Sequence, residues 1–122
     1  MLKLKSTVSE KIQAFMESFH ADTFPNPFNP HERVWRSRVR LCLSAFHDHV
    51  WISSVESIEA RKGHGSQCMD WLLDLVIEHG ILIRGNAQPF GPKAMPQADL
   101  IQWYAFCGFN TDHSEIYFDG EE

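Results

Sequence analysis

The chain has 122 residues, 43% of them hydrophobic and 12% aromatic, and a formal net charge of -5. That length and apolar content support one globular domain around a single core and exclude a disordered chain. The acidic balance argues against general nucleic-acid binding, which needs a basic face, and leaves room for a basic small molecule or a lysine-bearing protein as partner.

Thr7-Val8-Ser9-Glu10 fits a capping box, and Val8, Ile12, Phe15, Met16 and Phe19 recur at helical spacing. A helix to about His20 is expected. Residues 22–32 hold Pro25, Pro27 and Pro30, which speaks against regular helix or a central strand. Phe24 and Phe28 interleave with these prolines, either as rings pinning a loop to the core or as part of a functional loop. Val39, Leu41, Leu43 and Ala45 alternate with Arg40, Cys42 and Ser44 and predict a strand. His47-Asp48-His49 is a turn, and a second strand begins at Val50. Its apolar positions run Val50, Ile52, Val55, Ile58, so the alternation slips by one after Ile52, as a β-bulge produces.

Residues 66–79 predict a firm amphipathic helix. Cys68, Met69, Trp71, Leu72, Leu73, Leu75 and Val76 fall on its apolar side, and Gln67, Asp70, Asp74 and Glu78 form the wet stripe. Gly80 stops it. Residues 81–84 read as a short buried strand, residues 85–96 as a long loop, residues 98–107 as a second helix ended by Gly108, and residues 115–119 as a final strand.

Ala60-Arg61-Lys62-Gly63-His64-Gly65-Ser66 joins the slipped strand to the first long helix. Two glycines spaced G-x-G let the backbone turn tightly, and the helix aims its unpaired N–H groups at that turn. A strand, a glycine turn and a helix N-terminus together make an anion site, most often for phosphate; an ordinary glycine loop has the same local pattern. Some forty residues on, Trp103-Tyr104-Ala105-Phe106-Cys107-Gly108-Phe109 places Tyr-x-x-x-Gly-Phe at a helix end.

The two segments, in this order, resemble the GCN5-related N-acetyltransferase (GNAT) superfamily over roughly residues 39–118. The resemblance implies an α/β fold (α+β by some schemes): a mixed, mostly antiparallel sheet with a bulged central strand, flanked by helices. It implies one domain over residues 1–122, in which residues 1–38 form the N-terminal helix and proline-rich loop and residues 39–119 the acetyl-CoA-binding core. It further implies acetyl-CoA as co-substrate and an N-acetyltransferase (acyltransferase) activity that moves acetyl from the CoA thioester to an amine by direct attack. The backbone of Arg61, Lys62, Gly63, His64, Gly65 and Ser66 would cradle the pyrophosphate, with charge from Arg61 and Lys62 and a hydroxyl from Ser66. Ser53, Ser54 and Val55 would pair with pantetheine as an extra strand, the Val55 N–H facing the thioester carbonyl. Tyr104 matches the residue that protonates the departing thiolate; on its own it also reads as a core aromatic.

The sequence departs from the family at Ala60, where Gln or Arg is usual, and at Gln97, where Asn is frequent. The family has no invariant base. His49 and, second, Glu56 are the candidates here, each also readable as a surface residue. A GNAT-fold protein that has lost activity and serves as a CoA-binding or interaction module is the alternative. The short segment before the core leaves less wall for an acceptor pocket, or calls for a homodimer. The acceptor is an amine-bearing small molecule or protein.

Cys42, Cys68 and Cys107 are odd in number and lack a C-x-x-C pair, which reads as free thiols of a cytoplasmic protein. No apolar run is long enough for a membrane span, and no signal-peptide core is present. The seven histidines lack H-E-x-x-H or Cys/His spacing, so no metal site is expected.

Overall fold

The computed structural model describes residues 8–58, 63–88 and 95–121. Its strands are β1 (Phe24–Asn26), β2 (Asn29–Trp35), β3 (Val39–Ala45), β4 (Val50–Ser57), β5 (Leu82–Asn86), β6 (Asn110–Asp112) and β7 (Glu115–Asp119), joined in one sheet in the order β1-β2-β3-β4-β5-β7-β6. β4 and β5 run parallel, and every other neighbouring pair is antiparallel. Three helices complete a mixed α+β domain: α1 (Glu10–Ala21), α2 (His64–His79) and α3 (Gln97–Cys107).

The pleat explains the core. Val39, Leu41, Val50, Ile52, Ile83 and Ile116 alternate along their strands and are buried against the helices. The intervening Arg40, Trp51, Arg84 and Tyr117 project from the opposite face. An aromatic chain links α1 to the sheet through α2: Phe15 stacks on Phe19 at 6.4 Å, Phe19 meets Trp71 at 6.1 Å, and Trp71 meets Trp35 at 5.7 Å. Each fully buried ring of this kind stabilises the fold by about 1.5–3 kcal/mol.

α1 begins two residues later than the capping box suggests. Ser9 is the N-cap, its Oγ accepting from the Ile12 N–H at 3.3 Å; Thr7 lies outside the described residues. At the other end, the Thr23 hydroxyl donates to the Phe19 carbonyl at 2.7 Å, and Arg33 donates to the carbonyls of His20 at 3.0 Å and Thr23 at 2.8 Å. These bonds satisfy carbonyls that a helix C-terminus leaves unpaired.

Residues 22–32 are not a loop. They supply β1 and the first part of β2: Pro25 lies on the edge strand β1, Pro27 in the turn, and Pro30 ahead of the β2–β3 ladder, which covers only Arg33–Trp35 of β2. The turn is held by the Phe28 N–H donating to Asn26 Oδ1 at 3.0 Å. The two rings do not pin this segment to the core: Phe24 is 48% exposed and Phe28 94%. The β2–β3 turn places Arg36 and Ser37 at φ of 54° and 57°, a type I′ geometry without glycine. The Arg36 guanidinium lies 4.7 Å over the Trp35 ring, and this contact offsets part of the strain.

α2 ends at Gly80, as its sequence indicates, with φ of 62°. β5 runs to Asn86, two residues past its expected end, and β6, which the sequence reading lacked, pairs with β7 as a terminal hairpin. Among the described residues no helix is long and apolar enough to cross a membrane.

Candidate functional site

The register of β4 is the starting point. On β3, Cys42 faces Ser54 and Leu43 faces Ile52, so Ser53 has no partner. Ser53 is therefore the bulge that the slipped alternation anticipates. The bulge keeps Val55 on the core side with Ile52, and Val55 packs partly buried against the core. The parallel ladder with β5 covers Val50–Ile52 against Ile83–Gly85 and stops there. Beyond Ile52, β4 keeps β3 on one side and has no strand on the other among the described residues.

That open edge leads to the start of α2. A Cβ built on Gly65 would lie 3.1 Å from Ser57 Oγ and 3.2 Å from the Trp103 ring, which places the helix start against the last residue of β4 and against α3. Gly63 caps α2 in the left-handed region at φ 75°, and the first intrahelical bond runs from the Gln67 N–H to the Gly63 carbonyl at 3.1 Å. The N–H groups of His64, Gly65 and Ser66 precede it and have no intrahelical acceptor. The first turn of α2 carries no acidic side chain, so its positive dipole end is not offset from within the helix. Arg61 and Lys62 lie outside the described residues.

α3 completes the group. Trp103 Nε1 donates to Ser66 Oγ at 3.2 Å, and the Cys107 thiol shares a hydrogen bond with Ser66. Burial pushes the Cys107 thiol up to about 11. Tyr104 is 5% exposed and meets Trp103 edge-on at 4.9 Å and Phe109 at 5.4 Å. Its burial raises the phenol above its ordinary value, so it holds its proton at neutral pH. Gln97 Nε2 donates to the Ala87 carbonyl at 3.0 Å, tying the start of α3 to the end of β5.

His49 stands apart from this group. It lies in the β3–β4 turn, stacked on Phe46 at 5.0 Å, with Nδ1 2.8 Å from Asp48 Oδ1. That hydrogen bond holds the Asp48 carboxyl below its ordinary range. Six residues of strand, about 20 Å, separate His49 from Val55. Glu56 is exposed and ion-paired to Arg40 at 3.0 Å across the β3–β4 ladder. A separate cleft of about 610 Å³ lies near His47 and Asp48, between the start of α1 and the end of β7; Lys11 and Glu121 pair within it. Among the described residues no group of three or more His, Cys, Asp or Glu is arranged to hold a metal.

The structure thus brings Ser57, Gly65, Ser66, Trp103 and Cys107 together at one end of β4. Sequence reasoning missed Ser57, Trp103 and Gly85. For Gly85 a signal existed, since a glycine inside a strand marks a close backbone approach, but the strand was expected to end one residue earlier. For Trp103 and Ser57 no local signal existed, because their meeting depends on how α3 lies over α2.

No protein-family model matches the sequence, and no curated protein matches it. Among solved structures, that of the anti-CRISPR protein AcrVA5 superposes with a TM-score of 0.61 at 30% identity, covering 70% of this chain and 95% of that one. With that identity over nearly the whole of AcrVA5, the chain belongs to the same family as AcrVA5.

Proposed function

We propose that the chain is an acetyl-CoA-dependent N-acetyltransferase of the GNAT type. One observation carries this reading: the bulge at Ser53 falls where the β4–β5 ladder ends, and the strand edge freed beyond it leads to the N-terminus of α2. A pantetheine arm is extended and carries two amides, which suit pairing with an open strand edge. A pyrophosphate suits the unpaired N–H groups and positive end of α2. The open edge of β4 and the start of α2 lie next to each other, as one ligand with both parts requires.

In the proposed reaction the acceptor nitrogen attacks the thioester carbon. The C–N bond forms, the carbonyl oxygen takes negative charge, and the Val55 N–H stabilises it. The C–S bond then breaks. The thiolate takes a proton from Tyr104, and the nitrogen loses its extra proton to solvent, from which Tyr104 is restored. Tyr104 is protonated at neutral pH and so has a proton to give, although its burial makes the phenol a weaker acid. No side chain is assigned as base, since His49 is remote along the strand and Glu56 is engaged by Arg40.

The likeness to an anti-CRISPR protein favours a protein of a CRISPR system as acceptor. Acetylating a lysine removes its charge, and a nucleic-acid-binding protein loses a phosphate contact with it. The net charge of -5 suits docking to such a basic surface.

Calorimetric titration with acetyl-CoA, CoA and ATP tests the reading. Micromolar binding of acetyl-CoA and CoA, with none of ATP, is expected. Absence of binding at millimolar acetyl-CoA overturns it in favour of an interaction module built on the same sheet.

A further inference from the structure

We propose that Trp103 is a positioning residue of the anion-binding turn: its indole N–H holds Ser66 Oγ as an acceptor, so that the Ser66 hydroxyl donates to a phosphate oxygen of CoA. This inference rests on the reading above. An indole N–H only donates, whereas a serine hydroxyl has one proton and two lone pairs. The 3.2 Å bond from Trp103 Nε1 therefore occupies a lone pair of Ser66 and turns its proton elsewhere. Cys107, on the next turn of α3, competes for that proton: its hydrogen bond with Ser66 is of the kind that lowers a thiol's pKa, the hydroxyl donating to sulfur. Burial keeps the thiol neutral, and a neutral thiol is a weak acceptor that a phosphate oxygen displaces. Ser66 is the third residue of α2, so its hydroxyl stands beside N–H groups that have no intrahelical acceptor.

Gly65 makes the arrangement possible. It is buried, and the Trp103 ring occupies the space its side chain would take, 3.2 Å from an ideal Cβ. The second glycine of the G-x-G thus seats the tryptophan that orients the serine, and its role is not confined to admitting a phosphate. Phenylalanine at position 103 would keep a ring over Gly65 and remove only the donor.

The test is CoA titration of the wild type, Trp103→Phe, Ser66→Ala and the double variant, each with a thermal melt. Trp103→Phe should bind CoA about 3- to 10-fold more weakly, the effect of one hydrogen bond, with its melting temperature nearly unchanged. Ser66→Ala should show a similar loss, and the double variant no further loss, because Trp103 acts through Ser66. Wild-type affinity in Trp103→Phe, or losses that multiply in the double variant, overturn the proposal. Ser66→Ala adds no bulk beneath the Trp103 ring, so wild-type affinity there overturns the proposal even if Trp103→Phe unfolds. A wild type that binds no CoA overturns the functional reading and this inference together; a wild type that binds, with variants that do not differ, overturns this inference alone.

Discussion

Gly85 lies so close to Ile52 that a Cβ on it would stand 2.9 Å from the Ile52 carbonyl oxygen and 3.3 Å from the Ile52 Cβ. The two residues are the last rung of the parallel β4–β5 ladder. The strands therefore approach closely at the rung immediately before they part. A tight rung followed by a bulge gives the opening a fixed apex, and the missing side chain of Gly85 sets where that apex falls.

Gly85→Ala should accordingly destabilise the protein by about 1–3 kcal/mol, because the methyl meets backbone that must shift. A urea denaturation midpoint measures the loss. The same shift displaces the apex, so acetyl-CoA binding should weaken as well. Unchanged stability would mean that β5 moves freely relative to β4.

Deleting Ser53 tests the bulge itself. Ser54 would still face Cys42 and Ile52 would still face Leu43, so the inward and outward sets on either side of the deletion keep their faces. The deletion variant should fold, with a native far-UV spectrum and a cooperative melt. It should lose acetyl-CoA binding by more than about tenfold, since the strand no longer swings away from β5. Retained affinity would remove the bulge from the site.

The two turn glycines should respond differently to alanine. At Gly63 nothing lies within 4 Å of a Cβ, but φ is 75°, and a left-handed L-residue costs about 1–2 kcal/mol. At Gly65 the cost is steric, against Ser57 and Trp103. Gly63→Ala should lower stability with the Trp103 fluorescence environment preserved. Gly65→Ala should shift that fluorescence, because the ring must move. The other three tryptophans, Trp35, Trp51 and Trp71, are replaced by phenylalanine in the background used. No difference between the two variants would contradict the packing of Trp103 on the helix start.

Much of this architecture was legible before the structure. The slip after Ile52 located the bulge because a period of two records any extra residue as a change of phase. The stripe of α2 and its Gly80 stop were equally plain, being local patterns. The hairpin at β1 and β2 was not, because three prolines mask it: Pro25 sits on the edge strand β1, Pro27 in the turn, and Pro30 at the start of β2, ahead of its pairing with β3. The exposure of Phe28 was likewise hidden, since composition does not say which way a ring at a turn points. In the site, the glycine turn announced itself through spacing. The contact of Trp103 with Ser66 spans 37 positions of sequence and arises only when α3 crosses the start of α2.

Alkaline stability follows from the buried thiols and phenol. Burial pushes the Cys68 thiol from its ordinary 9.0 up to about 12, and the Cys107 thiol up to about 11. Burial raises the Tyr104 phenol in the same direction. In each case the folded state holds the proton more tightly than the unfolded one, so stability is complete below about pH 9 and falls as the pH rises through the folded values. Urea midpoints measured between about pH 8 and about pH 11 should decline, and Cys68→Ala should flatten the decline. A midpoint that does not move over that range would mean that these groups titrate alike in both states.

Tyr104→Phe separates chemistry from packing. Phenylalanine keeps the edge contacts with Trp103 and Phe109, so stability should change by less than about 1.5 kcal/mol and CoA affinity by little. On the proposed mechanism, what is lost is the proton for the departing thiolate. With a polylysine peptide as probe acceptor, thiol release from acetyl-CoA at saturation should slow by about a hundredfold or more, the usual scale of a positioned acid. A loss of affinity at constant turnover would instead make Tyr104 part of the cofactor pocket. An unchanged rate and affinity would leave it a core aromatic, and the proton for the thiolate would have to come from water admitted along the open edge of β4.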